Sequence, residues 1–404
     1  MRAVTLYATS ACNLRCKHCG VGPDQLHVRP ALSTEALCGI VTRLAAAGTK
    51  FVTLLGGEVT LYRQDLGAIL EHAASVGMGV SLNTNLTDWQ SVAPLLDRPG
   101  LAGLIVSLDG ATSASHDAMR GRGTFARTRA NAALAAAHPR VRSGALTVEI
   151  AFVLSALNYR EAAGMVGLAR EIGTTRLSVK PVKMIGRAQQ FTAQLRMSHR
   201  DLLDAYCEIV VAWLMAGDLE LDMFLAPAVA LYLNERFGTS FPVDDHPACG
   251  GVKEYGYVDL YGNHVPCPAM SYEENQSTGL QGPLPTLNLL KHDVETVHRA
   301  ELFEQFEVTR QSRSALDHMH PCRECSFKTT CSPCTADFIL GQEMVQVDVC
   351  AAVFAHGDED VPGLTSRLQV RPASPPAYMQ PWKSPAKEPR GFDDKRTVVQ
   401  LRKS

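Results

Sequence analysis

The sequence predicts an α/β protein: a partial (β/α)6, TIM-like barrel followed by a loop-rich second half. Three observations carry this. Six short apolar or β-branched runs alternate with helical patterns through the first half. From about Phe241 that periodicity gives way to cysteines, glycines and prolines punctuating short segments as far as Cys350. The chain has 404 residues, 46% of them apolar, and a formal net charge of −2. That length allows two or three domains with a large core, and that charge gives no reason to expect nucleic acid or an anionic membrane as partner.

The candidate strands are Ala3–Ala8, Phe51–Leu55, Gly79–Asn83, Gly103–Leu108, Thr147–Leu154 and Arg176–Pro181. Each is short and apolar, as buried parallel strands are. Between the first two, Ser33 reads as an N-cap for a stripe of Leu37, Ile40, Val41, Leu44 and Ala47. Leu66, Ile69, Leu70 and Ala73 make a second stripe. Strand–helix alternation implies right-handed crossovers and a parallel sheet. Six units are too few for a closed eight-stranded barrel, so a curved, partly open one is expected. Residues Met197 to Phe237 read as helical throughout. The expected divisions are a barrel over 1–195, linking helices over 196–240, a loop-rich domain over 241–360, and a proline-rich basic tail over 361–404. The tail is expected to be a disordered appendage. Its Tyr378, Trp382 and Phe392 leave a lesser reading in which it packs along the body.

No apolar run reaches the roughly 20 residues of a membrane span, and the N-terminus has no apolar signal-peptide core. Twelve cysteines fall in short clusters. Together these features favour metal or cluster ligation in a reducing cytoplasm over disulfides. Cys38 and Cys207 lie in apolar helical stretches and read as small buried hydrophobes.

Cys12, Cys16 and Cys19 follow the first strand with the spacing Cys-x3-Cys-x2-Cys. A loop there sits on the face where barrels build active sites. Three thiolates hold three corners of a 4Fe–4S cluster and leave one iron open for a chelating small molecule. Zinc is the competing reading, but its nearest fourth ligand, His18, lies between two of the cysteines in a tight loop. At the next strand end stand Gly56, Gly57 and Glu58. Two glycines let a ligand approach the backbone, and Glu58 adds an acceptor suited to an ammonium group.

On Cys12, Cys16, Cys19 and Gly56-Gly57-Glu58 the chain resembles the radical S-adenosylmethionine (SAM) superfamily. The segments Ser107-Leu108-Asp109-Gly110, His116-Asp117-Ala118-Met119-Arg120-Gly121 and Lys180–Ala188 add to the resemblance. It implies that SAM chelates the open iron and is cleaved to methionine and a 5′-deoxyadenosyl radical, which abstracts hydrogen from a substrate. It also implies that Gly56, Gly57 and Glu58 receive the SAM amino group. Ser107 and Arg120 would make its polar contacts, with the Arg fork matched to the carboxylate. Asn83 and Asn85, ending the third strand, read equally as ribose contacts or as an Asx turn. Val59 stands where the family motif usually continues with proline.

The second half carries Cys249, Cys267, Cys322-x2-Cys325-x5-Cys331-x2-Cys334 and Cys350. Two Cys-x2-Cys pairs suit one zinc ion, but seven cysteines need at least two centres. With the hairpin Tyr255 to Cys267, this segment resembles the SPASM domain, an auxiliary-cluster extension of radical SAM enzymes. The resemblance implies two auxiliary 4Fe–4S clusters, one on Cys249, Cys267 and Cys334, the other on Cys322, Cys325, Cys331 and Cys350. The Cys331–Cys334 spacing is one residue shorter than usual, and no cysteine lies just before Cys249. The first auxiliary cluster is thus expected to have an open iron or a ligand such as His246, Asp245 or Asp244.

The expected function is that of an oxidoreductase-type radical SAM enzyme. It would crosslink, oxidise or epimerise a peptide during the maturation of a ribosomally made natural product. A reductant such as flavodoxin or ferredoxin would serve it. With about ten residues before Cys12, peptide recognition would fall to a separate protein or to direct binding. Pro268 follows Cys267 where sulfatase-maturing relatives commonly have Asp, which argues against that activity. Two alternatives remain: a small-molecule dehydrogenase or epimerase, such as one acting on an antibiotic sugar, and a non-enzymatic zinc or cluster scaffold. No catalytic acid or base is assigned.

Overall fold

Six parallel strands run in sequential order through the centre of the computed structural model, each reached by a crossover from the last. They are β1 (Ala3–Thr9), β2 (Phe51–Gly56), β3 (Gly79–Thr84), β4 (Leu101–Ser107), β5 (Thr147–Leu154) and β6 (Arg176–Pro181). The structure describes residues 2–21, 32–62, 64–243, 251–252, 255–271, 287–312, 314–331, 334–339 and 344–369. Cys249, His246, Asp245, Asp244 and the tail from 370 onward, with Tyr378, Trp382 and Phe392, lie outside them.

The main core fills the space between the sheet and its helices. Val4, Leu6, Val52, Leu54, Val80 and Leu82 point to that side and are fully buried. The opposite face alternates with them and is only half-buried, at Thr53, Ser81, Asn83, Ile105, Ser107 and Ala151. The strands therefore alternate rather than burying both faces, because one face lines the interior where the cysteine loop lies.

Both predicted helical stripes form. α1 (Thr34–Ala46) starts at Ser33, whose side chain accepts from the Ala36 N–H at 3.1 Å, and it buries Leu37, Ile40, Val41 and Leu44. α2 (Leu66–Ser75) buries Leu66, Ile69, Leu70 and Ala73, each such burial contributing about 1–3 kcal/mol according to size. Further along are α3 (Ser113–Arg120), α4 (Thr124–Ala136), α5 (Gly164–Ile172), α6 (His199–Ala216) and α7 (Pro227–Phe237).

Three features depart from the sequence expectation. The stretch read as continuously helical is α6 and α7 separated by a seventh strand, β7 (Glu220–Met223), which pairs in parallel with β6. Gly217 breaks the pattern in the left-handed region at φ 82° and ends α6, and Leu221 and Met223 are buried. Second, the cysteine-rich half extends the barrel sheet. β8 (Tyr255–Val258) pairs in parallel with β1, and β9 (His264–Val265) returns antiparallel to it, giving the order β7-β6-β5-β4-β3-β2-β1-β8-β9. Third, the chain stays folded past Val361: α11 (Leu364–Gln369) buries Leu364 and Leu368. It follows α8 (Glu301–Ser312), α9 (Thr335–Ile339) and α10 (Val345–Asp360). α10 packs on both α6 and α7, and Tyr232 of α7 donates to Asp360 at 2.6 Å. Among the described residues no helix is long and apolar enough to cross a membrane.

Candidate active site at the sheet edge

The loop carrying Cys12, Cys16 and Cys19 leaves the C-terminal end of β1 and is tied down from several sides. Asn13 donates to Thr87 at 3.0 Å and accepts from Asn85 at 2.9 Å. The Lys17 N–H donates to the Met119 carbonyl in α3 at 2.9 Å. Arg187 and Ala188 donate backbone N–H groups to Val21 and Cys19, at 3.2 and 3.3 Å. Gly186 makes this last contact feasible: its φ is +57°, and a Cβ there would lie 2.0 Å from the Gly20 carbonyl oxygen. Burial pushes the Cys12 thiol up to about 12, and the charges of Cys16, Cys19 and Glu58 push in the same direction. Burial also raises Cys16, against the pull of Arg120. Thiols that repel one another this way become thiolates together only around positive charge, as an iron–sulfur cluster supplies. His18 Nδ1 is buried in the same loop without a hydrogen-bond partner. This donor set fits a cluster.

Gly56 and Gly57 lie where expected, but the close approach they permit is to the cysteine loop itself. A Cβ on Gly56 would fall 2.3 Å from the Thr9 carbonyl oxygen, and one on Gly57 2.5 Å from that of Ala11. Their strand end hydrogen-bonds to the same segment, Gly57 N–H to Thr9 O and Glu58 N–H to Ala11 O, both at 2.7 Å. Glu58 already has several donors within the protein. Its carboxylate is buried and accepts from the Thr60 N–H, the Thr60 hydroxyl, the Thr84 hydroxyl and the Asn85 N–H, at 3.2, 2.8, 2.6 and 2.7 Å. It braces β2 against β3. Asn85 proves to be an Asx turn, its side chain accepting from the Thr87 N–H at 3.0 Å.

Ser107 and Asn83 sit side by side at neighbouring strand ends, the Ser107 hydroxyl donating to Asn83 at 3.3 Å. Arg120, at the end of α3, is buried. Its Nε donates to Asp109 Oδ2 at 2.5 Å, one terminal nitrogen lies 4.0 Å from Cys16 Sγ, and the other 3.4 Å from His18 Nε2. Burial opposes the charge on Asp109, but Arg120 and the Val153 N–H outweigh it and hold the carboxyl below its usual range. Burial pushes His18 down to about 4, so its imidazole is neutral near pH 7.

The C-terminal cysteines fall in two places. Cys322, Cys325, Cys331 and Cys350 line one small pocket with Pro227, Leu316 and Phe327. α10 delivers Cys350 there from sequence-distant chain. Burial raises Cys350 far above the usual thiol range, and the other three cysteines add to the effect. Among the described residues, no three His, Cys, Asp or Glu side chains converge tightly enough to hold a single metal ion. Cys267 and Cys334 pack instead, together with Cys19, against a second apolar cluster of Tyr7, Tyr257, Val265, Met270 and Phe306. Lys183, beyond β6, reaches across to this side: Nζ lies 2.8 Å from Asp337 and 3.4 Å from Cys334. Sequence reasoning gave no role to Lys183, Asp109 or Asn13. The first two lie in quoted motif segments, which was a usable signal; Asn13 carried none.

The chain is similar to known proteins in sequence and in fold. Residues 6–151 match the model of the Radical SAM superfamily. The PqqA peptide cyclase of Methylocella silvestris is 32% identical over 372 residues, covering 87% of this chain and 90% of that protein. The AdoMet-dependent heme synthase of Methanosarcina barkeri is 25% identical over 346 residues, covering 83% and 91%. Among solved structures, Streptococcus suis SuiB bound to S-adenosylmethionine aligns with a TM-score of 0.63 at 17% identity over 85% of this chain and 75% of that one, a likeness of fold. The chain belongs to the radical SAM superfamily. Within it, the protein is a SPASM-type enzyme of the radical SAM oxidoreductase class, on a partial TIM-barrel fold, and that family implies a 4Fe–4S cluster and SAM as cofactors.

Proposed function

We propose that the enzyme oxidatively modifies a peptide, with Cys12, Cys16 and Cys19 holding the SAM-binding cluster. The observation that carries the reading is the convergence of that cysteine loop with the Gly56-Gly57 strand end and the buried Arg120 at the C-terminal ends of the strands. SAM bound to such a cluster supplies a radical that abstracts hydrogen from a substrate. The chain's own residues bind and orient: the Gly56 and Gly57 backbone toward the SAM amino group, Ser107 and Arg120 toward its carboxylate, Asn83 toward the ribose. Glu58 acts by bracing those strand ends. The similarity to a peptide cyclase at 32% identity over most of both chains supports a peptide substrate.

Cys322, Cys325, Cys331 and Cys350 would hold one auxiliary 4Fe–4S cluster; Cys267 and Cys334, with Cys249, another. The shared cavity supports the first set, and the joint packing of Cys267 and Cys334 supports the second. A flavodoxin- or ferredoxin-type reductant and a separate leader-recognition protein complete the reading.

Anaerobic reconstitution tests it. About four irons per cluster should bind, and replacing Cys12, Cys16 and Cys19 with Ala should remove one cluster's worth. With SAM, reductant and candidate peptides, 5′-deoxyadenosine should form together with a mass change in one peptide. Failure to bind iron sinks the cluster assignment. Turnover of a small molecule with no peptide modified sinks the substrate class.

A further inference from the structure

We propose that Asp109 is a positioning residue for SAM binding, acting through Arg120. The inference rests on the proposed SAM site and goes beyond it, since no role for Asp109 follows from the cluster ligands themselves. Asp109 lies just past the end of β4 and is fully buried. Both carboxylate oxygens are committed. Oδ1 accepts from the Val153 N–H at 2.8 Å, which fixes the residue to β5. Oδ2 accepts from Arg120 Nε at 2.5 Å and lies 3.2 Å from His18 Nε2. The backbone is held as firmly: the Asp109 N–H donates to His116 Nδ1 at 3.0 Å, and Asn158 donates to the Asp109 carbonyl at 3.0 Å. Gly110 lets this turn close on α3, because a Cβ there would fall 2.1 Å from the Ser115 hydroxyl and 2.5 Å from the His116 nitrogen.

Two sequence-separated motifs thus close into one device. Ser-Leu-Asp-Gly supplies the anchor, and the helix carrying His116 and Arg120 supplies the fork. An arginine side chain has many rotamers, and restricting it before the ligand arrives lowers the cost of binding. Asp109 occupies only the Nε–H and leaves both terminal nitrogens directed at the cysteine loop. This geometry presents a pre-set fork to a carboxylate at that loop.

Positioning and plain electrostatics predict opposite outcomes. Asp109→Asn removes a negative charge near an anionic group, so a purely electrostatic role would tighten SAM binding. A positioning role weakens it. SAM affinity is measured by equilibrium dialysis on the reconstituted, unreduced full chain, with iron content and circular dichroism checked to match wild type. Asp109→Asn should raise the dissociation constant about tenfold, and Arg120→Gln by at least as much. The double variant should be no weaker than Arg120→Gln alone. In a separate, dithionite-reduced sample, the SAM-induced change in the cluster's EPR signal should shrink in parallel. Wild-type or tighter SAM binding by Asp109→Asn, or additive losses in the double variant, overturns the proposal. If Asp109→Asn does not fold, Asp109→Glu decides: it keeps the charge and the Arg120 fork but displaces the anchoring carboxylate by a methylene, so a loss of affinity is expected and unchanged affinity is the overturning result. A wild-type chain that binds iron but no SAM would instead remove the proposed function, leaving the role of Asp109 without an object.

Discussion

Glu58 and Asp109 are both buried carboxylates at the edge of the site, and each is held by several protein donors. The price of burying a charge is met locally in both cases, by hydroxyls and backbone N–H groups at Glu58 and by a guanidinium at Asp109. Neutral buried imidazoles raise a different issue, with a measurable consequence. Burial, and then the neighbouring His298, pushes His264 down to about 3; burial also pushes His116 and His298 down to about 4. An unfolded imidazole takes its proton near 6.5. These folded values are depressed, so the unfolded state binds the extra proton first as pH falls. Stability is therefore full above about pH 6.5 and declines toward pH 4, with a slope approaching about 1.4 kcal/mol per unit for each such histidine. His264 packs against His298 and Phe303 with ring centroids 5.3 and 5.2 Å away, a setting that suits an aromatic substitute. Urea unfolding of the iron-free chain between pH 7 and 5 should show His264→Phe losing less stability than wild type. Parallel pH profiles for the two proteins would contradict this.

At the scale of elements, the junction of β1 and β2 is a tight constraint near the site. Gly57→Ala would press a methyl group against the carbonyl oxygens of Ser10 and Ala11, 2.6 and 2.5 Å from its Cβ. Both obstacles are backbone, so the cysteine loop itself must shift. A loss of about 1–3 kcal/mol is expected, together with lower iron retention after desalting. Gly167→Ala in α5 is the matched control. Nothing lies within 4 Å of its Cβ position, so a small gain of up to about 1 kcal/mol from helix propensity is expected. Equal effects of the two substitutions would refute this account of the glycine pair. Local pattern made much of this level legible. The Ser33 cap and the stripes of α1 and α2 form as read, because capping chemistry and a 3.6-residue period are local properties. β7 was not legible: four residues between two apolar helices carry too little periodicity to declare a strand, and pairing with β6 decides it.

Across the whole molecule, the second half is joined to the barrel through backbone and side chain alike. β8 continues the sheet beside β1, α10 packs on α6 and α7, and Lys183 bridges to Asp337. Asp337 is nearly buried while Lys183 is about two-fifths exposed, so solvent screens the pair in part. Lys183→Met and Asp337→Asn should each destabilise the iron-free chain, and their double-mutant cycle should return a coupling of about 1 kcal/mol. A coupling of zero would reduce the bridge to a surface contact. The sequence by itself determined the strand–helix alternation, the Gly-Gly-Glu turn at the end of β2 and the family, because motif spacing and periodicity are written within short windows. It placed Arg120 near the site but not its partner. Tertiary structure decided which contacts those residues make: Glu58 ties β2 to β3, the two glycines admit the cysteine loop, and Asp109 accepts from Arg120 Nε. Each is a contact between strand ends or loops brought together only when the sheet forms, so no local pattern encodes it.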